Sequence, residues 1–534
     1  EENGQDVVLN NLSPSNSSVY DIGVSYTVPN DAVEGRHLIG VKATNTCNGF
    51  IDYDVMRLYV YPWTPGGNPT QWSKEQLDVM TQVGIQEALW YMHRKLGGRS
   101  GGGAQIQGYL NASSHRHQQA TAMAIWAFTI NGRLPAYPPA SIDAHGHNLP
   151  AGWEEENLIR WRLDPYSETA ARMVNYVTSQ SGGRSGVNGS DEDNTCDIDG
   201  TQCSRLPSSY AGQGAYVNGG SNYTYSHGLN TGALSTVLPS LAGTPIQTGA
   251  LKGQLWEGFV QDQVDYLGYL QIPSGCGKGG WYYSRTTNTG CIYMDASTAQ
   301  WGYIGLESAE VAGFRYGVFV NNNHKYKAGW NIVRNQDGYG SSSYRTDYSW
   351  SNNNLTLTGG FFVIARWLGF QNFNSGDGAV PFPHNSYSKG QMRDALNRAR
   401  NYTANKWMGS ESGSYHINRR FWSGGSYTCN NSNSTYKWGS GATCGNLYAI
   451  YSHQKGYRTT SKIYDRVNGE IQEGEQEPAM NGHSWSQEFA TYILRSQERN
   501  TGDYNQFGRI DDCGGGSTIA CAYGGYNLGI TMGT

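Results

Sequence analysis

The 534 residues include 71 glycines, 17 prolines and 67 aromatic side chains (38 Tyr, 16 Trp, 13 Phe), yet only 15% are charged, against about a quarter in an average soluble protein. So large an aromatic content excludes a disordered chain, and glycine plus proline stays below the share that marks low-complexity or collagen-like sequences. With 38 basic and 43 acidic side chains, a net charge of −5, the chain has no electrostatic footprint for nucleic acid or an anionic membrane. Its length allows several domains, or one large repeat domain with an appendage.

The first 61 residues read as β structure. Segments 21–28, 37–43 and 53–61 are short runs rich in Val, Ile and Tyr, separated by Pro29-Asn30-Asp31 and by turn-forming residues 45–49. A β-sandwich wants about seven strands, so this partial sandwich needs strands from upstream chain or from another molecule. Cys47, the odd cysteine of nine, lies here and fits a missing partner. Residues 62–72, with Pro62, Pro65, Gly66, Gly67 and Pro69, read as a linker.

From 73 to 534 the pattern repeats: an amphipathic helix, a Gly/aromatic loop, then a second apolar helix. The pairs are expected at 75–96 with 117–130, 167–180 with 230–241, 256–270 with 295–313, 316–333 with 355–370, 391–407 with 444–454, and 485–497 with 518–528. The third pair shows it best: Trp256, Phe259, Val260, Val264, Leu267 and Leu270 share one helical face. Segment 295–313 is apolar almost all round, the mark of a buried helix. No apolar run reaches the 18 residues a membrane span requires.

Eight cysteines form close sequential pairs: Cys196 with Cys203, Cys276 with Cys291, Cys429 with Cys444, and Cys513 with Cys521. They read as disulfides of an oxidising, extracellular or cell-surface compartment; Cys276/Cys291 and Cys429/Cys444 bracket the loop between paired helices, and the other two pairs lie in the corresponding part of their units. A 15-residue closed loop is worth about 3 kcal/mol in the chain-entropy picture.

Three groups are candidates for chemistry or contact. Asp191, Glu192, Asp193, Asp197 and Asp199 crowd five carboxylates together; Asp191, Asp193, Asp197 and Asp199 are a candidate Ca²⁺ site, set against a solvated acidic loop. His115, Asp295 and Asp511 stand at the starts of second helices, where an acid/base pair could assemble, or where the side chains simply cap helices. Trp281, Tyr282, Tyr283, Tyr344 and Trp350, in the Gly-rich loops, are candidates for a contact surface. The sequons at Asn222 and Asn354 permit glycans.

Tyr266-Leu267, Gln271 and Gly279-Gly280-Trp281 follow the aromatic-Leu, Gln, Gly-x-Trp pattern of terpenoid cyclases. Tyr492-Ile493, Gln497 and Gly502-Asp503-Tyr504, and Tyr176-Val177 with Gln180, are looser copies. On these residues, 73–534 resembles the α/α toroids of the terpenoid cyclase and protein prenyltransferase superfamily. The resemblance implies a mainly α fold: a six-hairpin (α/α)6 toroid with long Gly/Tyr-rich, disulfide-stapled loops. The stretch from Tyr26-Thr27-Val28-Pro29 to 42 resembles later strands of secreted immunoglobulin-like domains. The superfamily's chemistry does not carry over. Asp191-Glu192-Asp193-Asn194 ends in Asn where the cyclase acid motif has Asp, no zinc-binding Asp, Cys and His trio remains once the cysteines pair, and Gly275-Cys276-Gly277-Lys278-Gly279 lacks the Glu and Gln of a thioester.

Two functions are expected from this reading. One is a non-catalytic extracellular structural subunit of a cell-surface or filamentous assembly, self-associating through the N-terminal β segment. The other is a secreted toroid enzyme, a polysaccharide lyase or hydrolase acting in the central cavity.

Overall fold

A computed structural model describes residues 35–44, 51–60, 72–110, 117–138, 149–186, 213–217, 223–286, 288, 290–346, 355–378, 387–408, 447–458, 463–465, 470–472 and 485–496. The described part is mainly helical, with four two-stranded antiparallel sheets among the described residues. Strands β1 (Gly35–Thr44) and β2 (Ile51–Val60) pair in unbroken register from Gly35 opposite Val60 to Thr44 opposite Ile51. They occupy two of the expected strand runs; segment 21–28 lies outside the described residues, as does Cys47.

Helix α1 (Lys74–Arg94) starts at a capping box, Ser73 Oγ accepting from Gln76 N–H while Gln76 Oε1 accepts from Ser73 N–H. The hairpin of β3 (Leu96–Ser100) and β4 (Gln107–Leu110) joins it to α2 (His117–Ile130). Helix α3 (Trp153–Leu163) lies between the first and second expected helix pairs. Glu154, Glu155 and Glu156 in its first turn and Arg160 and Arg162 in its last complement the helix dipole, and Trp153 Nε1 donates to Ser240 O at 2.7 Å. Helix α4 (Ser167–Ser179) and the hairpin of β5 (Ser181–Gly186) and β6 (Gln213–Val217) lead to α5 (Tyr223–Ser235) and the short α6 (Leu238–Leu241). Helix α5 starts earlier than expected because Thr224, Ser226, His227, Asn230 and Thr231 are all buried, and their polarity hides a helix that is interior on every side.

The remaining helices are α7 (Trp256–Leu270), α8 (Ala296–Gly313), α9 (Asn322–Arg334), α10 (Leu355–Trp367), α11 (Lys389–Met408), α12 (Leu447–Arg458) and α13 (Trp485–Ser496). Two short strands, β7 (Ile463–Asp465) and β8 (Glu470–Gln472), lie between α12 and α13. The second partner of the last helix pair, 518–528, lies outside the described residues. As the sequence anticipated, α8 is buried along nearly its whole surface.

The second helices of successive pairs are neighbours: α2 packs on α5, α5 on α8, α8 on α10 and α10 on α12. Glycines bring these axes close. A Cβ on Gly228 of α5 would lie 2.2 Å from the Trp301 carbonyl oxygen of α8, and one on Gly456 of α12 would lie 2.5 Å from Phe362 Cβ of α10. Among the first helices, α13 lies against α1.

Consecutive pairs are latched by side-chain amides. At the end of α7, Gln271 Nε2 donates to Gly279 O in its own loop and to His324 O on the following first helix, both at 3.0 Å. Its Oε1 accepts from His324 Nδ1–H at 2.8 Å. After α9, Gln336 repeats the arrangement: Nε2 donates to Gly340 O (3.2 Å) and Ala395 O (2.9 Å), and Oε1 accepts from Arg398 Nε–H (3.1 Å). Both loop glycines have positive φ, 78° and 99°, and a Cβ on either would fall within 2.1 Å of a backbone oxygen of the next helix, Lys327 O or Arg398 O. Only glycine satisfies both demands. Asn175 and Asn331 form a second repeated contact, each accepting from a buried tyrosine hydroxyl (Tyr137, Tyr303) and donating to two loop carbonyls.

Candidate functional site

Three of the second helices, α2, α8 and α12, share one cluster of side chains. Trp301 of α8 stacks on Tyr451 of α12 with ring centroids 5.6 Å apart, and Trp126 of α2 meets the same tyrosine edge-on at 6.5 Å. Trp126 fits because Gly232 of α5 has no side chain; a Cβ there would come within 2.5 Å of the indole. One turn beyond Tyr451, Lys455 Nζ pairs with Glu307 Oε2 at 2.5 Å and lies 5.8 Å from the Trp126 ring centre. Ser308 Oγ donates to the same carboxylate oxygen at 3.1 Å. The cluster thus spans three helices that are far apart in sequence.

The electrostatics favour holding over reacting. Burial, and then the negative charge of Glu307, push the Tyr451 phenol far above its ordinary range, so it stays neutral. Glu307 is engaged by an ammonium group and a hydroxyl, and Lys455 by a carboxylate and an indole face. Glu310, one turn along α8, pairs with Lys325 of α9 and accepts from Trp367 Nε1–H of α10 at 2.7 Å. These ion pairs, with the carboxylate side buried and the lysine side partly exposed, join α8 to its neighbours. Removing one partner of such a pair strands a charge, at a cost of about 3–5 kcal/mol.

The residues singled out in the sequence have diverse placements. Asp295 is the N-cap of α8: its Oδ1 accepts from Thr298 N–H at 3.1 Å and from Ser297 Oγ at 2.5 Å. That is the capping alternative. His115 and Asp511 lie outside the described residues. Trp281 was expected on a contact surface, and the structure corrects this: it is fully buried and donates Nε1–H to Leu267 O at 2.9 Å. Satisfying the indole nitrogen at the end of α7 lets the ring join the core. Tyr282, Tyr283 and Tyr344 are half-buried; Tyr283 stacks on Tyr225 with centroids 6.0 Å apart, and Tyr282 meets Tyr283 edge-on at 5.2 Å. Tyr339, 83% exposed at the tip of the turn after α9, is a loop aromatic the sequence reading passed over.

Cys276 and Cys291 form a disulfide with Cα atoms 4.7 Å apart, the expected pair in the loop between α7 and α8. Cys196, Cys203, Cys429, Cys444, Cys513, Cys521, Trp350 and the carboxylates Asp191, Asp193, Asp197 and Asp199 lie outside the described residues. Among the described residues no helix is long and apolar enough to cross a membrane.

Among the described residues His227, His324 and His453 are buried, and burial lowers the pKa of the first two strongly. His227 Nε2–H donates to Gln263 O at 3.0 Å, and burial lowers its pKa to about 4 against the partial opposition of that bond. Burial likewise lowers His324 to about 4.

The chain matches no protein-family model, no curated protein and no solved structure in comparisons with each.

Proposed function

We propose that residues 73–534 form an (α/α)6 toroid with a filled centre, and that the protein is a non-catalytic extracellular structural subunit of a cell-surface or filamentous assembly. The observation that carries this reading is the Trp126, Trp301, Tyr451, Glu307 and Lys455 cluster. A toroid enzyme working on a polysaccharide needs an open centre, and in this reading these side chains of α2, α8 and α12 fill it. The order in which α2, α5, α8, α10 and α12 pack, and the return of Tyr451 to Trp126, support a closed ring. The Cys276–Cys291 disulfide supports an oxidising compartment.

In this reading the N-terminal β segment, residues 1–61, is an incomplete immunoglobulin-like sandwich completed by a neighbouring subunit through strand addition. The acidic loop with Asp191, Asp193, Asp197 and Asp199 holds Ca²⁺. Negative-stain electron microscopy and sedimentation of the full chain test the assembly. Ordered polymers that disappear on deleting 1–61 are the expected result; discrete monomers that degrade a polysaccharide refute it. A chelator is expected to lower the melting temperature, and Asp197→Asn to abolish that response.

A further inference from the structure

The last turn of α9, the facing side of α11 and residues Thr346 and Tyr387 line an open pocket of about 340 Å³, to which Val333, Arg334, Gln336, Gln391, Asp394 and Arg398 contribute. The volume lies at the small end of the roughly 300–1,000 Å³ of ligand sites. Gln391, Asp394 and Arg398 recur at helical spacing, so α11 presents all three along one stripe. Its lining carries two guanidinium groups and one carboxylate, a net charge of one positive.

The partners inside this cavity are only partly committed. Arg398 uses Nε–H on Gln336 Oε1, which leaves its two terminal nitrogens without a hydrogen-bond partner among the described residues. Gln391 accepts from Ser388 N–H through Oε1, leaving its NH₂ available to a ligand. Asp394 is exposed. Tyr387 supplies a ring, its centroid 6.5 Å from that of Trp330, whose face carries both Arg334 and Lys278 with their charged ends 5.4 Å from the ring centre.

We propose that this cavity binds an acidic sugar, a hexuronate unit of an anionic polysaccharide. The planar guanidinium of Arg398 matches a carboxylate with two parallel bonds, with Arg334 adding charge. Gln391 supplies donors and Asp394 acceptors for ring hydroxyls, and Tyr387 offers an apolar face to the pyranose. A phosphate group fits less well: its dianion has no hydroxyl to donate to Asp394 and no ring to lie against Tyr387. The proposal does not rest on the assembly reading, and it stands whether the protein polymerises or not.

Isothermal titration calorimetry of the full chain with galacturonate, glucuronate, their neutral parents galactose and glucose, and inorganic phosphate tests it. Both uronates should bind roughly tenfold or more tightly than the neutral parents, and Arg398→Gln should remove about that factor, the worth of a charge-assisted hydrogen bond. Because Arg398 also holds Gln336, Arg334→Gln is the companion variant: it should weaken uronate binding severalfold while leaving the affinity for galactose and glucose unchanged. Equal affinity for acidic and neutral sugars, tighter binding of phosphate than of uronate, or no heat with any uronate would overturn the proposal.

Discussion

Gln271→Ala is the sharpest test of the latch between successive helix pairs. The amide is buried, with three hydrogen bonds of 2.8–3.0 Å. Alanine would strand two groups above all, Gly279 O and the Nδ1–H of His324, itself 6% exposed. At about 1.5–2 kcal/mol per stranded buried group, the loss is about 3–4 kcal/mol. The effect should be local, so amide hydrogen exchange is the assay. Ile272 N–H bonds Gly280 O at 2.9 Å and Gly279 N–H bonds Ile272 O at 2.8 Å, and both report opening of the loop. Their exchange should accelerate by roughly two to three orders of magnitude, since each 1.4 kcal/mol is a factor of ten. Gln271→Glu should do the same, because an ionised carboxylate has no donor for the two carbonyls. Acceleration of less than about tenfold in either variant would show that the latch is ornamental and the reasoning wrong.

Other outcomes follow from the interior. Gly228→Ala would ordinarily gain up to about 1 kcal/mol of helix propensity; here its Cβ meets Trp301 O at 2.2 Å, so urea denaturation should show a net loss of about 2 kcal/mol. Lys455→Met should destabilise by about 3 kcal/mol, the low end for a broken buried pair because that side chain keeps 24% exposure; adding Glu307→Gln should recover most of the loss. His324 sits at about 4 when folded against 6.5 in the unfolded chain. Its lowered pKa means the fold excludes a proton that the unfolded chain takes up, so stability is full above pH 6.5 and falls as the pH drops towards 4, by up to about 1.4 kcal/mol per pH unit. His324→Gln should flatten that acid limb in pH-dependent denaturation. Asp265, whose burial raises its pKa well above the ordinary carboxylate value, acts with the opposite sign, so Asp265→Asn should steepen it.

The paired helices were legible because their apolar spacing is strong, and α7 and α8 fall close to where the periodicity of Trp256, Phe259, Val260 and Val264 placed them. The Gln271 to Trp281 pattern was legible as a motif, and the structure gives its mechanics. Its counterpart at Gln336 was not, because Gly340 follows after four positions instead of eight and no tryptophan accompanies it. Burial of Trp281 was hidden because a Gly-rich loop reads as surface until a partner for the indole N–H is known. The interior cluster left no trace in sequence: Glu307 and Lys455 are ordinary charged positions on separate helices, joined only by tertiary packing. The cavity beside α11 is similar, since Arg334 and Arg398 meet only when α9 and α11 are side by side.

The amide latches all point the same way along the chain. Gln271 reaches 53 residues forward to His324, and Gln336 reaches 59 forward to Ala395. During synthesis each glutamine therefore leaves the ribosome before the carbonyl it will hold exists. A newly made unit remains open at its leading edge until the following helix emerges and closes it. Latching on this scheme is directional, like a zip fastened from the amino-terminal side, with Gln336 the next tooth to close after Gln271.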